Sequence, residues 1–191
     1  MATVTVEAAH SRAELLHQPR SNKLGLWIFM ASETFLFSAL ISARFITSGV
    51  QKPEDLNQAL AFGLTCVLLV SSISAYLAEA FIATGHRRAF LASTRITIVF
   101  GLIFIGGVMF EWREALENFP PGTIYGTAFF SLIGLHAFHV LTGVLALAVV
   151  LNLGAIGHFG PANSWPVEGA VKYWHFVDLM WVIIYPTLYL F

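Results

Sequence analysis

Five ionisable side chains lie inside long apolar stretches of the sequence, where a charge is costly and needs a partner or a function. They are Glu33, His136, His139, His175 and Asp178. His136 precedes His139 by three residues, and His175 precedes Asp178 by the same interval, so the members of each pair share one helix face. Since Glu33 and Asp178 each lie about eight residues, or roughly 12 Å, into their stretches, we predict that all five form one buried polar cluster.

Three kinds of chemistry are compatible with such a cluster. Hydrogen bonds between helices would stabilise packing by about 0.6–2 kcal/mol per contact. A carboxyl among imidazoles would instead hold or pass protons. A metal ion shared by His136 and His139 would need a third and a fourth ligand from elsewhere, and a haem would need a second histidine from another helix, for which His175 would have to serve. Packing and then proton handling are the favoured roles, and we expect no catalytic, cofactor-binding or metal-binding residue in this chain.

The remaining residues offer little other chemistry. Cys66 is the single cysteine, so neither an internal disulfide nor a cysteine-based zinc site can form within the chain. The sequence contains no phosphate-binding glycine loop and no nucleophile motif. A pI of about 6.6 without a basic stripe argues against nucleic acid as a partner.

The composition indicates a membrane protein. Apolar residues make up 57% of the chain and charged residues 11%, and the mean hydropathy is +0.74. A typical soluble domain has roughly 25% charged residues, so this chain lacks the charged surface that solubility requires. An intrinsically disordered chain is excluded as well, because disorder requires low hydrophobicity.

Five apolar stretches are long enough to cross a bilayer, which takes about 20 helical residues. They cover residues 25–47, 60–83, 93–112, 124–151 and 170–191. Because these stretches are continuous rather than alternating, we predict an all-α bundle of five transmembrane helices and not a β-barrel. Residues 24–191 would form this transmembrane domain. The polar residues 1–23 lack the apolar core of a signal peptide and are predicted to form a cytoplasmic tail.

Lysine and arginine residues predict the orientation of the bundle. Seven of the ten fall on the side of the N-terminal tail and three on the opposite side. The positive-inside rule therefore places the N-terminus in the cytoplasm and the C-terminus outside.

Several aromatic and charged residues near the span ends are expected to contact lipid headgroups or the membrane interface. Glu111, at the outer end of the third span, is one of them. The others are Trp27, Arg44, Glu79, Trp112 and Trp174.

Four segments in order along the chain resemble one family, subunit III of haem–copper terminal oxidases. Residues 173–181, YWHFVDLMW, resemble its YWHFVD…W signature. Residues 26–33, LWIFMASE, are similar to its first shared helix with a Ser-Glu pair, and residues 110–112, FEW, resemble an aromatic-flanked glutamate. Residues 126–140 resemble its Gly-x-x-Phe-Phe…Gly-x-His-x-x-His-Val helix. The resemblance covers all five predicted spans.

This resemblance implies an accessory subunit of a respiratory oxidase that reduces O₂ to water and pumps protons. In the family, subunit III holds no haem or copper, which belong to partner subunits. It packs mainly on subunit I, with subunit II and a small subunit IV as further partners, and binds phospholipid. It supports proton uptake and protects the enzyme from turnover damage. Glu33 matches the family's buried, carbodiimide-reactive carboxyl, and the implied location is the bacterial cytoplasmic membrane.

The resemblance leaves several alternatives open. The longer family form has seven helices, and the two that form one wall of its lipid cleft have no counterpart among the five spans. Cytochrome c is the expected electron donor, and a quinol oxidase of similar subunit composition is the alternative. Outside the family, a small proton-coupled transporter would relay protons through Glu33 and Asp178. A b-type cytochrome would use His139 and His175.

Overall fold

The computed structural model describes residues 2–49 and 56–190, and it describes side chains for residues 21–49 and 56–190. Within these ranges the chain forms five α-helices and a C-terminal π-helix. They are α1 (Ala2–Ser48), α2 (Gln58–Ala83), α3 (Arg87–Asn118), α4 (Ile124–Ala155), α5 (Trp165–Tyr185) and the π-helix (Pro186–Leu190). The described residues contain no strand, so the predicted all-α fold class is confirmed.

Two predictions extend into residues that are described only in part or not at all. The cytoplasmic tail predicted for residues 1–23 falls mostly where side chains are not described. The predicted end of the fifth span, Phe191, also lies outside the described residues.

Four helices are long and apolar enough to cross a membrane, by length and composition alone. They are the Ser21–Ser48 part of α1, together with α2, α3 and α4. α5 has 21 residues but carries Glu168, Lys172 and Asp178, and it is not among the four. Its predicted crossing therefore depends on how its polar groups are satisfied rather than on hydropathy.

The helices α2, α3, α4 and α5 surround a common core. Each packs on the next in chain order, and α5 returns to pack on α2. Large side chains fill the centre, and Phe104, Phe129, Trp174 and Trp181 are fully buried there. α1 lies outside this four-helix core, against α4 and α5, and much of its apolar surface stays exposed.

Helix ends follow local signals in the sequence. Asn57 caps α2 by accepting a hydrogen bond from the backbone N of Leu60 at 3.1 Å. Gly157, just after α4, has a φ of +84°, which side-chain-bearing residues rarely adopt. Arg87 donates from Nε to the carbonyl oxygen of Gly154 at 2.9 Å. The start of α3 is thus attached to the end of α4, where unpaired carbonyls attract a cation.

Two glycines allow α3 and α4 to approach the ring of Trp174. A Cβ on Gly101 would lie 2.6 Å from Cη2 of Trp174 and 2.7 Å from Cγ2 of Val144. A Cβ on Gly143 would lie 2.9 Å from Cε3 of the same indole. Both glycines are therefore needed to seat α5 against its neighbours, and α5 in turn carries two of the candidate site residues.

Candidate functional site

Glu33 on α1 contacts His139 on α4. Its Oε2 lies 3.0 Å from Nε2 of His139, and Nδ1 of that imidazole lies 2.8 Å from the carbonyl oxygen of Leu135. Because a carbonyl only accepts, Nδ1 must carry a hydrogen. Nε2 then accepts from a neutral carboxyl or, in an imidazolium, donates to a carboxylate. In both arrangements one proton is shared between Oε2 and Nε2.

This carboxyl–imidazole pair borders a groove between α1, α4 and α5. The groove has a volume of about 540 Å³, and its walls are mostly apolar, with Phe29, Phe138 and Tyr173 among them. The ring of Phe37 packs on His139, with centroids 5.2 Å apart. The shared proton is therefore held at the edge of an apolar groove rather than in the centre of the core.

His136 faces away from this pair. Its ring lies between Phe104 and Trp181, with centroid distances of 5.5 Å and 4.9 Å. Neither ring nitrogen has a hydrogen-bond partner among the described residues. His136 therefore packs as an aromatic ring in the core, and the structure does not bring it to Glu33.

Asp178 and His175 form a second polar group, with Ser72 of α2. The Oγ of Ser72 lies 2.5 Å from Oδ2 of Asp178 and 2.8 Å from Nδ1 of His175. The single predicted cluster is thus divided into two polar groups, Glu33 with His139 and His175 with Asp178, while His136 belongs to neither. Our sequence reasoning missed Ser72, although two consecutive serines in an apolar helix are a signal for a buried polar contact.

Further hydrogen bonds join α2 to α5 on the same interface. The indole Nε1 of Trp174 donates to Oγ of Ser71 at 3.0 Å, and that of Trp181 donates to Oγ1 of Thr65 at 2.9 Å. Each buried indole N–H thereby finds an acceptor, as burial requires. α2 supplies the hydroxyls and α5 the aromatic groups.

The predicted interface residues divide between surface and interior. Trp27 is 60% exposed, and Glu79 and Trp112 are half-buried. Trp174 and Arg44 differ from the prediction because both are buried. Gly101 of α3 and Gly143 of α4 make room for the indole of Trp174. The guanidinium of Arg44 lies over the ring of Tyr125, 5.1 Å from its centroid.

Glu111 is also buried rather than exposed to headgroups. It accepts a hydrogen bond of 2.5 Å from the hydroxyl of Tyr189 in the π-helix. Gln58 donates to the carbonyl oxygen of Tyr189 at 3.0 Å, and Tyr125 donates to that of Leu188 at 2.7 Å. Three helices thus hold the C-terminal segment.

The described residues contain no group of three or more His, Cys, Asp or Glu side chains placed to hold a metal ion. Both nitrogens of His139 are already engaged, by Glu33 and by the carbonyl of Leu135. Nδ1 of His175 is engaged by Ser72.

Comparisons with known proteins agree on one family. The family described as cytochrome c oxidase subunit III matches residues 3–191. A cytochrome c oxidase subunit 3 from Corynebacterium diphtheriae is 32% identical, with 95% of this chain and 94% of the relative covered. A probable cytochrome c oxidase subunit 3 from Mycobacterium tuberculosis is 30% identical, with 95% of this chain and 94% of the relative covered. A cytochrome c oxidase subunit 3 from Scyliorhinus canicula is 31% identical, with 87% of this chain and 68% of the relative covered.

Proposed function

The chain belongs to the cytochrome c oxidase subunit III family, and on that premise we propose that it is the non-catalytic subunit III of a proton-pumping haem–copper oxidase. The observation that carries this proposal is the match to the family over nearly the whole chain. Haem and copper would reside in partner subunits. We propose subunit I as the main contact, with subunit II and a small subunit IV beside it. The names of the relatives favour cytochrome c as the electron donor over a quinol.

We propose that all five helices span a bacterial cytoplasmic membrane. α5 has 21 residues, which corresponds to about 31 Å of helix, close to the roughly 30 Å of a hydrocarbon core. Each of its three charged side chains has a polar contact, since Lys172 donates to Glu168 and Ser72 contacts Oδ2 of Asp178. The excess of Lys and Arg on the N-terminal side supports a cytoplasmic N-terminus, with residues 1–23 as its tail and residues 24–191 as the membrane domain.

We propose that phospholipid occupies the grooves beside α1. One groove lies between α1, α4 and α5 and the other between α1 and α5, with volumes of about 540 and 630 Å³. Their walls are largely apolar, and Trp27 and Lys172 border the second groove. Acyl chains fit apolar walls, while an indole and an ammonium group are typical neighbours of lipid headgroups.

We propose that the Glu33–His139 pair supports proton uptake indirectly. It holds one shared proton at the edge of a groove, and the side chain of Glu33 is 18% exposed there. Packing is the alternative role for this pair, because hydrogen bonds between transmembrane helices also stabilise a bundle.

Purification of the chain under mild detergent conditions tests the assignment. A tagged chain is expected to co-purify with a haem-containing subunit I, and the complex should oxidise reduced cytochrome c and pump protons. A complex that lacks the chain should lose activity faster during turnover. Recovery of the chain alone, with proton flux from the isolated chain in liposomes, would instead favour the transporter. Oxidation of quinol but not of cytochrome c would change the proposed donor.

A further inference from the structure

We propose that Asp178, Ser72 and His175 form a proton relay between the buried α2–α5 interface and the groove between α1 and α5. This site is separate from the Glu33–His139 pair. The inference goes beyond the proposed function because it concerns a proton moved along this chain's own side chains, whichever electron donor the complex uses.

The geometry of Ser72 is the central observation. A hydroxyl has one hydrogen to donate and can also accept. Its Oγ lies 2.5 Å from Oδ2 of Asp178 and 2.8 Å from Nδ1 of His175, so it is within hydrogen-bond distance of both. Since it donates to only one of them at a time, the other must donate to it. The three groups therefore have two self-consistent arrangements.

These two arrangements differ by the position of one proton. In the first, Asp178 is neutral and donates from Oδ2 to Ser72, which donates to the lone pair on Nδ1 of His175. In the second, Asp178 is a carboxylate that accepts from Ser72, and Nδ1 donates to Ser72. The hydroxyl passes its hydrogen to Nδ1 while it takes the carboxyl hydrogen. Two O–H bonds break, one O–H and one N–H bond form, and the net result is one proton moved from the carboxyl to the imidazole.

The two ends of the relay have different surroundings. Asp178 is only 4% exposed, and its Oδ1 has no hydrogen-bond partner among the described residues. His175 is half-buried and lines the groove of about 630 Å³ between α1 and α5. A proton can therefore enter or leave at the imidazole, while the carboxyl is a closed end that stores it.

Other charged and titratable groups lie on each helix that packs on α5. Within the described part of the chain, Lys23 pairs with Glu168 at 3.7 Å, and Lys172 donates to Glu168. Ser72 is the side chain that contacts both members of the relay. The groups to consider in a titration are Lys23 and Glu33 on α1, Glu79 on α2, His136 and His139 on α4, and Glu168 and Lys172 on α5 itself.

Infrared spectroscopy of the purified oxidase complex across a pH titration tests the relay. The wild type should show a C=O band of a protonated carboxyl that is lost in Asp178→Asn. With ring-labelled histidine, the imidazole band that is lost in His175→Gln should change in the same pH step. In Ser72→Ala these two bands should change in separate steps, whereas Ser72→Thr, which keeps a hydroxyl, should restore the single step.

Ser74→Ala is the matched control, because Ser74 is a serine of the same helix whose hydroxyl contacts Thr97 of α3 at 2.7 Å instead. It should retain the single step. The proposal is overturned if Asp178→Asn removes no carboxyl band, or if Ser72→Ala keeps both bands in one step. Separate steps for these two assigned bands in the wild type would overturn it too.

Discussion

At the scale of single residues, the direction of each side chain around its helix decides its chemistry. Successive residues of an α-helix are turned by about 100°, so residues three apart differ by about 60° in direction. That angle is enough to direct His139 at Glu33 and His136 at Trp181. The i,i+3 spacing in the sequence predicted that the two histidines share a helix face. It could not predict that each of them contacts a different neighbouring helix.

Glu33→Gln separates proton holding from packing at this pair. A carboxamide can still donate to Nε2 of His139, so the free energy of unfolding of the complex should change by less than about 1 kcal/mol. The proton shared between Oε2 and Nε2 is lost, and we expect slower proton uptake and a shorter activity lifetime during turnover. Proton pumping and inactivation kinetics of the reconstituted complex measure both. Ser32→Ala is the control, because the hydroxyl of Ser32 contacts the carbonyl of Phe29. Unchanged kinetics in Glu33→Gln would leave packing as the role.

His136→Phe tests whether this imidazole acts as a packing ring. Since its nitrogens lack partners among the described residues, phenylalanine should cost less than about 1 kcal/mol in the free energy of unfolding. His139→Phe should cost more, about 1–3 kcal/mol, because it leaves the carboxyl of Glu33 without its partner. Thermal unfolding of the purified complex compares the two. A loss of about 1–3 kcal/mol in His136→Phe as well would mean that His136 has a polar role.

At the scale of helices, the sequence predicted the number and approximate limits of the elements better than their neighbours. α2 covers Gln58–Ala83 against a predicted 60–83, whereas α3 extends several residues beyond 93–112 at both ends. α5 ends at Tyr185, before residue 191, where the fifth span was predicted to end. Pro186 has no N–H to donate, and the chain continues as a π-helix. Hydropathy contains no information about which helices pack together, so the position of α1 outside the four-helix core was not predictable.

Gly101→Ala tests the close approach of α3 to α5. The added Cβ would meet the indole of Trp174 and the side chain of Val144 at under 3 Å, so we expect overpacking to destabilise the complex by about 1–3 kcal/mol. Gly106→Ala on the same helix is the matched control, because nothing lies within 4 Å of its added Cβ. The control should stabilise α3 slightly, by up to about 1 kcal/mol. Equal unfolding temperatures for the two variants would contradict the observed packing.

Tyr189→Phe tests the attachment of the π-helix to α3. The buried carboxyl of Glu111 would lose the hydroxyl that donates to it at 2.5 Å, and we expect a loss of about 1–3 kcal/mol in the free energy of unfolding. Tyr185→Phe is the control, since its ring stacks on Tyr189 but no hydrogen bond of its hydroxyl occurs among the described residues. Proteolysis at the C-terminus should accelerate in Tyr189→Phe alone. Equal protection in both variants would show that the hydroxyl is not needed.

At the scale of the whole molecule, the exposed apolar surface has to be covered by something outside the chain. α1 leaves large side chains such as Ile28, Phe35 and Ile46 exposed, at 61%, 78% and 83%. Composition predicted a membrane environment for them, because a soluble protein rarely exposes so much contiguous apolar surface. It could not distinguish lipid from a partner subunit, since both are apolar neighbours.

Ala31→Trp distinguishes lipid in the groove between α1 and α5 from an empty groove. Ala31 lines this groove, and an indole there would fill space that an acyl chain would otherwise occupy. We expect the purified complex to retain less phospholipid, measured as lipid phosphorus per haem, and to lose activity sooner during turnover. Ala39→Trp is the matched control, because Ala39 is an exposed alanine of the same helix that lines neither groove beside α5. If both variants keep the wild-type phosphorus content, the groove does not hold phospholipid. If both fail to assemble with a haem-containing partner, α1 is itself the surface that contacts subunit I.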